Sequence, residues 1–237
     1  MGKKKKEMGV IFDLDGTILD DIPFILNLHK KIAVDYNFPL TDELDALLRE
    51  KVGIPLCITG ANLVRFKVLN YLGKKIKIPF FKRFKMMNQA KKSIYEFLKD
   101  CPLVEGTQET LRFLKENNVK IGMFTNASRF EIKKYFKDRE EILIYFEGNI
   151  ISKDDVMHKK PHPEGIIKLL YKWGIAPQDV IIFGDYISDI QAGKKAGIVT
   201  AGVLSGAGEE QNFKNYNADY IIQDISEIPL KFPNLKF

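Results

Sequence analysis

Gly9-Val10-Ile11-Phe12-Asp13-Leu14-Asp15-Gly16-Thr17 is a run of apolar residues that ends in two carboxylates at i and i+2. The apolar part reads as a buried strand, and strand alternation would point Asp13 and Asp15 to the same side. Two like charges so close repel unless a cation bridges them. Gly16 lets the backbone turn sharply and approach a ligand. Asp, Gly and Thr are also ordinary turn residues, so this stretch alone leaves an Asx-type turn open.

Three other segments share its form. Phe124-Thr125-Asn126, Lys159-Lys160-Pro161-His162-Pro163 and Gly184-Asp185-Tyr186-Ile187-Ser188-Asp189 each lie at or after an apolar stretch. Strands are predicted at 9–14, 119–124, 149–152, 180–183 and 199–203, with a further edge strand at 220–222. Helical patterns separate them at 107–117, 129–136, 163–173 and 189–196, with Asn118, Gly174 and Gly197 where helices should stop. Such alternation with short connections implies an α/β fold built on a doubly wound parallel sheet. Residues just past the strand ends of an open parallel sheet gather at one edge, where ligands bind.

An Asp-x-Asp-Gly-Thr stretch, a strand-ending Thr, a Lys and a Gly-Asp-x-x-x-Asp stretch occur here in that order. In this the chain resembles the haloacid dehalogenase-like (HAD) hydrolase superfamily, and its phosphoglycolate phosphatase-like group with a helical cap. The resemblance implies a HAD-like core at residues 1–19 and 100–237 and an inserted α-helical cap at 20–99. Helical stretches at 23–36, 41–51, 62–72 and 79–98, without a convincing strand, suit that cap.

By the same resemblance Asp13 is the nucleophile that forms an aspartyl-phosphate. Asp15 is the general acid/base, with its backbone carbonyl on a metal. Thr125 and the amide of Asn126 hold phosphate oxygens, and Lys160 steadies the nucleophile and the transferring phosphate. Asp185 binds the metal directly, and Asp189 binds it directly or through water. With Asp13 these carboxylates make a hard, oxygen-only set suited to Mg²⁺. Asp15 separates the reaction types, since a halide leaving group needs no proton and an alcohol does. The implied activity is a Mg²⁺-dependent phosphatase acting on a small phosphorylated metabolite. The alternatives are a phosphosugar mutase of the same superfamily, or an anion- or nucleic-acid-binding protein that retains the site. Tyr186 departs from the smaller hydroxyl residue often found at its place.

The 237 residues, 45% hydrophobic, suit one α/β domain with a smaller insertion. No run reaches the roughly 20 apolar residues of a membrane helix. The basic start Lys3-Lys4-Lys5-Lys6 has no apolar signal core, so a cytoplasmic protein is expected, as a monomer or homodimer. Cys57 and Cys101 form neither a disulfide framework nor a metal pair and read as reduced packing residues. His162 reads as shaping its Pro-rich loop, and His29 and His158 as surface or packing residues.

Residues 20–100 hold 15 Lys and Arg against 9 Asp and Glu, which accounts for the whole net charge of +6. A solvated basic face and a field that draws acidic substrates both fit this. Arg65, Lys67, Lys82 and Arg83 are candidates for a substrate's second anionic group. Nothing beyond charge points to nucleic acid.

Overall fold

The computed structural model describes residues 7–21, 79–85, 88–89, 92 and 100–233. The chain divides into two compact units, Met1–Asp20 with Pro102–Phe237, and Asp21–Cys101.

The first unit is a six-stranded parallel sheet with helices between its strands. In chain order its strands are β1 (Gly9–Phe12), β2 (Lys120–Phe124), β3 (Ile150–Ile151), β4 (Val180–Gly184), β5 (Val199–Val203) and β6 (Tyr220–Ile222). They lie side by side as β3-β2-β1-β4-β5-β6. Strand β1 is central, and its residues Val10, Ile11 and Phe12 are wholly buried, as a strand covered on both faces must be.

Register fixes where the polar segments emerge. Phe12 pairs with Met123 on one side and with Phe183 on the other. Asp13, Thr125 and Asp185 therefore leave the sheet at one edge, from three neighbouring strands.

The helices are α1 (Thr107–Glu116), α2 (Arg129–Tyr135), α3 (Glu141–Ile144), α4 (Glu164–Trp173), α5 (Ile187–Ala196), α6 (Glu210–Asn215) and α7 (Ile228–Lys231). Ser128 and Glu131 form a reciprocal capping box that starts α2. Helices α4 and α5 end at glycines in the left-handed conformation, Gly174 and Gly197. Ile166 and Leu169 of α4 and Ala192 of α5 pack with Ile11, Phe124 and Ile182 of the sheet. Full burial of one such aliphatic or aromatic side chain contributes roughly 1.5–3 kcal/mol, so this layer holds the edge of the sheet firmly.

The structure departs from the sequence expectations in a few places. Strand β1 stops at Phe12, two residues early. The Asp13 amide still donates to the Phe183 carbonyl at 2.9 Å, but the Leu14 amide turns to Asp13 Oδ1 at 2.7 Å and leaves the ladder. Strand alternation therefore does not govern Asp13 and Asp15. Helix α5 begins at Ile187 instead of 189, because Asp189 caps from within its first turn. The helices α3, α6 and α7 span only 4 to 6 residues, too few for a helical period to declare itself.

In the second unit residues 80–85 are helical, inside the predicted stretch 79–98. The stretches 23–36, 41–51 and 62–72, which include His29, Arg65 and Lys67, lie outside the described residues, as does Cys57. Cys101 is buried and makes no disulfide among the described residues. None of the described helices is long and apolar enough to cross a membrane.

Candidate active site

Three acidic side chains meet at the edge of the sheet. Oxygens of Asp13 (after β1), Asp185 (after β4) and Asp189 (in α5) all lie within 4.8 Å of one another, and all three residues are buried. Lys160, from the loop before α4, enters the same cluster. Its Nζ donates to Asp13 Oδ1 and to Asp189 Oδ1, both at 2.6 Å.

Each group is held by its own local structure. Asp13 Oδ1 takes both the Leu14 amide and Lys160. Asp189 turns its other oxygen, Oδ2, to the Tyr186 amide at 3.1 Å. The backbone of Tyr186 thus helps hold a carboxylate whatever its side chain does. Lys160 is fixed through its main chain as well. Asn126 Oδ1 accepts the Lys160 amide at 3.1 Å, and Asn126 Nδ2 donates to the Lys160 carbonyl at 3.4 Å. The Lys160-Pro161 peptide bond is cis.

Asp185 sits between two glycines. Its Oδ2 accepts the Ala207 amide at 2.9 Å. A Cβ at Gly16 would lie 2.3 Å from that oxygen, and one at Gly206 only 2.1 Å from it. Gly16 also has φ +70°, a left-handed conformation that an L side chain adopts at a cost. Ser205 Oγ donates to the Gly16 carbonyl at 2.8 Å and ties the two loops together.

The electrostatics call for a further cation. Lys160 pairs with two of the three carboxylates, Asp13 and Asp189. Burial first, and the charge of Asp13 second, push Asp189 up to about 7 against the pull of Lys160. Burial would pull Lys160 down, but Asp13 and then Asp189 outweigh it and hold its pKa above the ordinary lysine value. Buried like charges are costly unless paired, and an all-oxygen donor set fits a hard divalent metal ion. Asp13, Asp185 and Asp189 could hold one.

Two of the sequence candidates stand outside this carboxylate set. Asp15 is half-buried at the start of the turn in which the Leu14 carbonyl accepts the amides of Ile18 and Leu19, both at 2.9 Å. Thr125 is buried past β2, and its Oγ1 accepts the Ala127 amide at 2.9 Å. Its own hydroxyl proton is left to donate.

Sequence reasoning missed the Ser205-Gly206-Ala207 loop and the side chain of Asn126. The first had a signal, since Gly206 and Gly208 follow a predicted strand just as Gly16 does. The second had none, because a clamp across 34 residues leaves no local pattern.

Comparisons with known proteins agree with this architecture. Residues 10–203 match the family model described as haloacid dehalogenase-like hydrolase. A phosphorylated carbohydrates phosphatase of Thermotoga maritima is 28% identical over 193 residues, which cover 80% of this chain and 81% of its own. A phosphoglycolate phosphatase of Escherichia coli is 27% identical over 241 residues, 96% of this chain and 93% of its own. A HAD-family hydrolase of Deinococcus radiodurans, crystallised with bound phosphate and sodium, superposes with a TM-score of 0.77 at 18% identity. That match covers 98% of this chain and 97% of the other and speaks for the fold.

Proposed function

The chain belongs to the haloacid dehalogenase-like hydrolase family, and from that premise we propose that it is a Mg²⁺-dependent phosphatase of small phosphorylated metabolites. The convergence of Asp13, Asp185 and Asp189 on one point, with Lys160 2.6 Å from Asp13, carries this reading. Phosphoryl transfer needs a nucleophile, charge neutralisation, an acid for the leaving group and firm positioning.

Asp13 is the nucleophile. Lys160 engages Oδ1, and Oδ2 is the oxygen that attacks phosphorus. As the new P–O bond forms, the bond to the leaving alcohol breaks, and Asp15 gives that alcohol its proton. Asp15 then takes a proton from a water molecule. That water attacks the phosphorus of the aspartyl-phosphate, phosphate leaves, and the Asp13 carboxylate is restored.

Thr125 donates its hydroxyl to a phosphate oxygen, and the Asn126 amide adds a second donor. Lys160 offsets charge on the transferring group, which strengthens in a site closed to water. Asp13, Asp185 and Asp189, with the Asp15 carbonyl, would hold Mg²⁺. When bound, that ion neutralises phosphate charge and orients the group for in-line attack.

Residues 20–99 are the cap of this reading, and their excess of basic residues suits acidic substrates drawn by charge. The two relatives above carry different substrates in their names, a phosphorylated carbohydrate and phosphoglycolate. We therefore leave the class at a small phosphate monoester, handled in the cytoplasm by a monomer or homodimer.

A panel of phosphorylated metabolites assayed with Mg²⁺ tests the proposal. Release of free phosphate supports it, whereas an isomeric sugar phosphate would assign a mutase. Asp13→Asn should abolish turnover with the fold intact by circular dichroism, and EDTA should silence the wild type. Turnover that persists in either case would overturn the assignment.

A further inference from the structure

A second cluster of metal-ligating groups stands apart from the carboxylates, on the loop that carries Lys160. A ring nitrogen of His158, a ring nitrogen of His162 and an oxygen of Glu164 all lie within 4.8 Å of one another. Two of the chain's 3 histidines are here, and their rings stand 4.7 Å apart, centre to centre.

Glu164 is built as a ligand would be. Its Oε1 accepts the Met157 amide at 3.0 Å and meets Lys168 Nζ at 3.1 Å. Its Oε2 accepts the His158 amide at 2.9 Å. A carboxylate oxygen has two lone-pair sites, so Oε1 is saturated and Oε2 keeps one position open. Those two amides, and then Lys168, hold Glu164 down at about 2, and it is fully ionised at neutral pH. His158 Nδ1 stands 3.4 Å from Oε2. That is long for a hydrogen bond. It matches the edge of a tetrahedral site, since two ligands about 2.1 Å from one zinc ion stand about 3.4 Å apart.

We propose that His158, His162 and Glu164 form a binding site for a borderline divalent transition ion of the Zn²⁺ type. Its donor chemistry differs from that of the carboxylate cluster. Two imidazoles and one carboxylate select Zn²⁺, Ni²⁺ or Cu²⁺ over Mg²⁺, whereas three carboxylates favour Mg²⁺. Three protein ligands leave a fourth position for water. The adjustment needed is small. Both histidines are exposed, and the contact from the Glu164 amide to His162 Nδ1 is a long 3.3 Å. A bound ion would bridge residues 158, 162 and 164 and tie down the loop on either side of Lys160. The site stands whether or not the chain is a phosphatase.

Zn²⁺ titrated calorimetrically into the full chain, with Mg²⁺ saturating, tests the proposal. Wild type should bind one Zn²⁺ that Mg²⁺ does not displace. His158→Ala/His162→Ala should weaken this binding at least tenfold, and Asp185→Asn should leave it unchanged. Both histidines are surface residues, so the double variant should keep its circular dichroism spectrum and melting temperature. Wild-type affinity in the double variant, loss of the site in Asp185→Asn, or no binding beyond what Mg²⁺ displaces would each overturn it.

Discussion

Gly206→Ala should cripple the active site without unfolding the protein. The new Cβ would fall 2.1 Å from Asp185 Oδ2, 2.4 Å from Cγ and 2.3 Å from Cβ, whereas ordinary contact begins at 3.4 Å. The Asp185 carboxylate must therefore retreat by about 1.3 Å, or the loop after β5 must lift by as much. Retreat takes it off the Ala207 amide and away from Asp13. A misplacement of about 1 Å in a catalytic constellation can cost on the order of 100-fold in rate, or about 2.7 kcal/mol in the barrier. Hydrolysis of p-nitrophenyl phosphate at varied Mg²⁺ should show this loss in kcat and a higher Mg²⁺ concentration at half-saturation. Gly148→Ala is the matched control. Gly148 has φ +71° but nothing within 4 Å of its added Cβ, so that variant should lose about 1 kcal/mol of stability and keep its rate. Gly206→Ala with wild-type kcat and wild-type Mg²⁺ dependence would refute the placement of Asp185 as a metal ligand.

Lys160→Met leaves Asp13 and Asp189 buried without their shared partner. In EDTA at pH 8 it should lose about 3–5 kcal/mol of unfolding free energy in urea, part of which Mg²⁺ restores; a loss under 1 kcal/mol would contradict the pairing. Asn126→Ala frees the Lys160 backbone and should lower kcat roughly tenfold while leaving the melting temperature within a few degrees, and an unchanged kcat would remove its positioning role. Against burial, which raises it, Arg129 and the Ser152 donors hold Asp155 at about 2. Its folded pKa lies below the unfolded value of 3.8, so the stabilisation is complete above about pH 5 and is lost as pH falls towards 2. Asp155→Asn should erase about 1–2 kcal/mol of that acid-sensitive stability, read from urea midpoints between pH 5 and 2, and parallel curves for the two proteins would sink the assignment.

Chain-local patterns carried most of the architecture. Strand β4 is apolar throughout, flanked by Asp179 and Asp185, and helices α4 and α5 stop at the glycines that their sequences offer. What local pattern could not give was the end of β1. An extended strand and a chain that bends at Asp13 have the same composition, and the choice rests on whether the Leu14 amide finds a carbonyl or the Asp13 carboxylate.

The Ser205-Gly206-Ala207 loop escaped for a different reason, one of topology. Parallel alternation predicts that β4 and β5 belong to one sheet, but not that they are neighbours. Only with β5 beside β4, Gly184 level with Gly202, does the loop after Val203 fall against Asp185. The carboxylates that meet here stand out in the sequence through its four ordered motifs and their resemblance to the family. Their supports do not, because Gly206 contributes only the absence of a side chain, and that absence matters at one place in space. The same logic explains where Asp185 stands. With Gly16 on one side and Gly206 on the other, the Asp185 carboxylate occupies space that a Cβ at either position would take, so the two glycines are what let it stand where it meets Asp13 and Asp189.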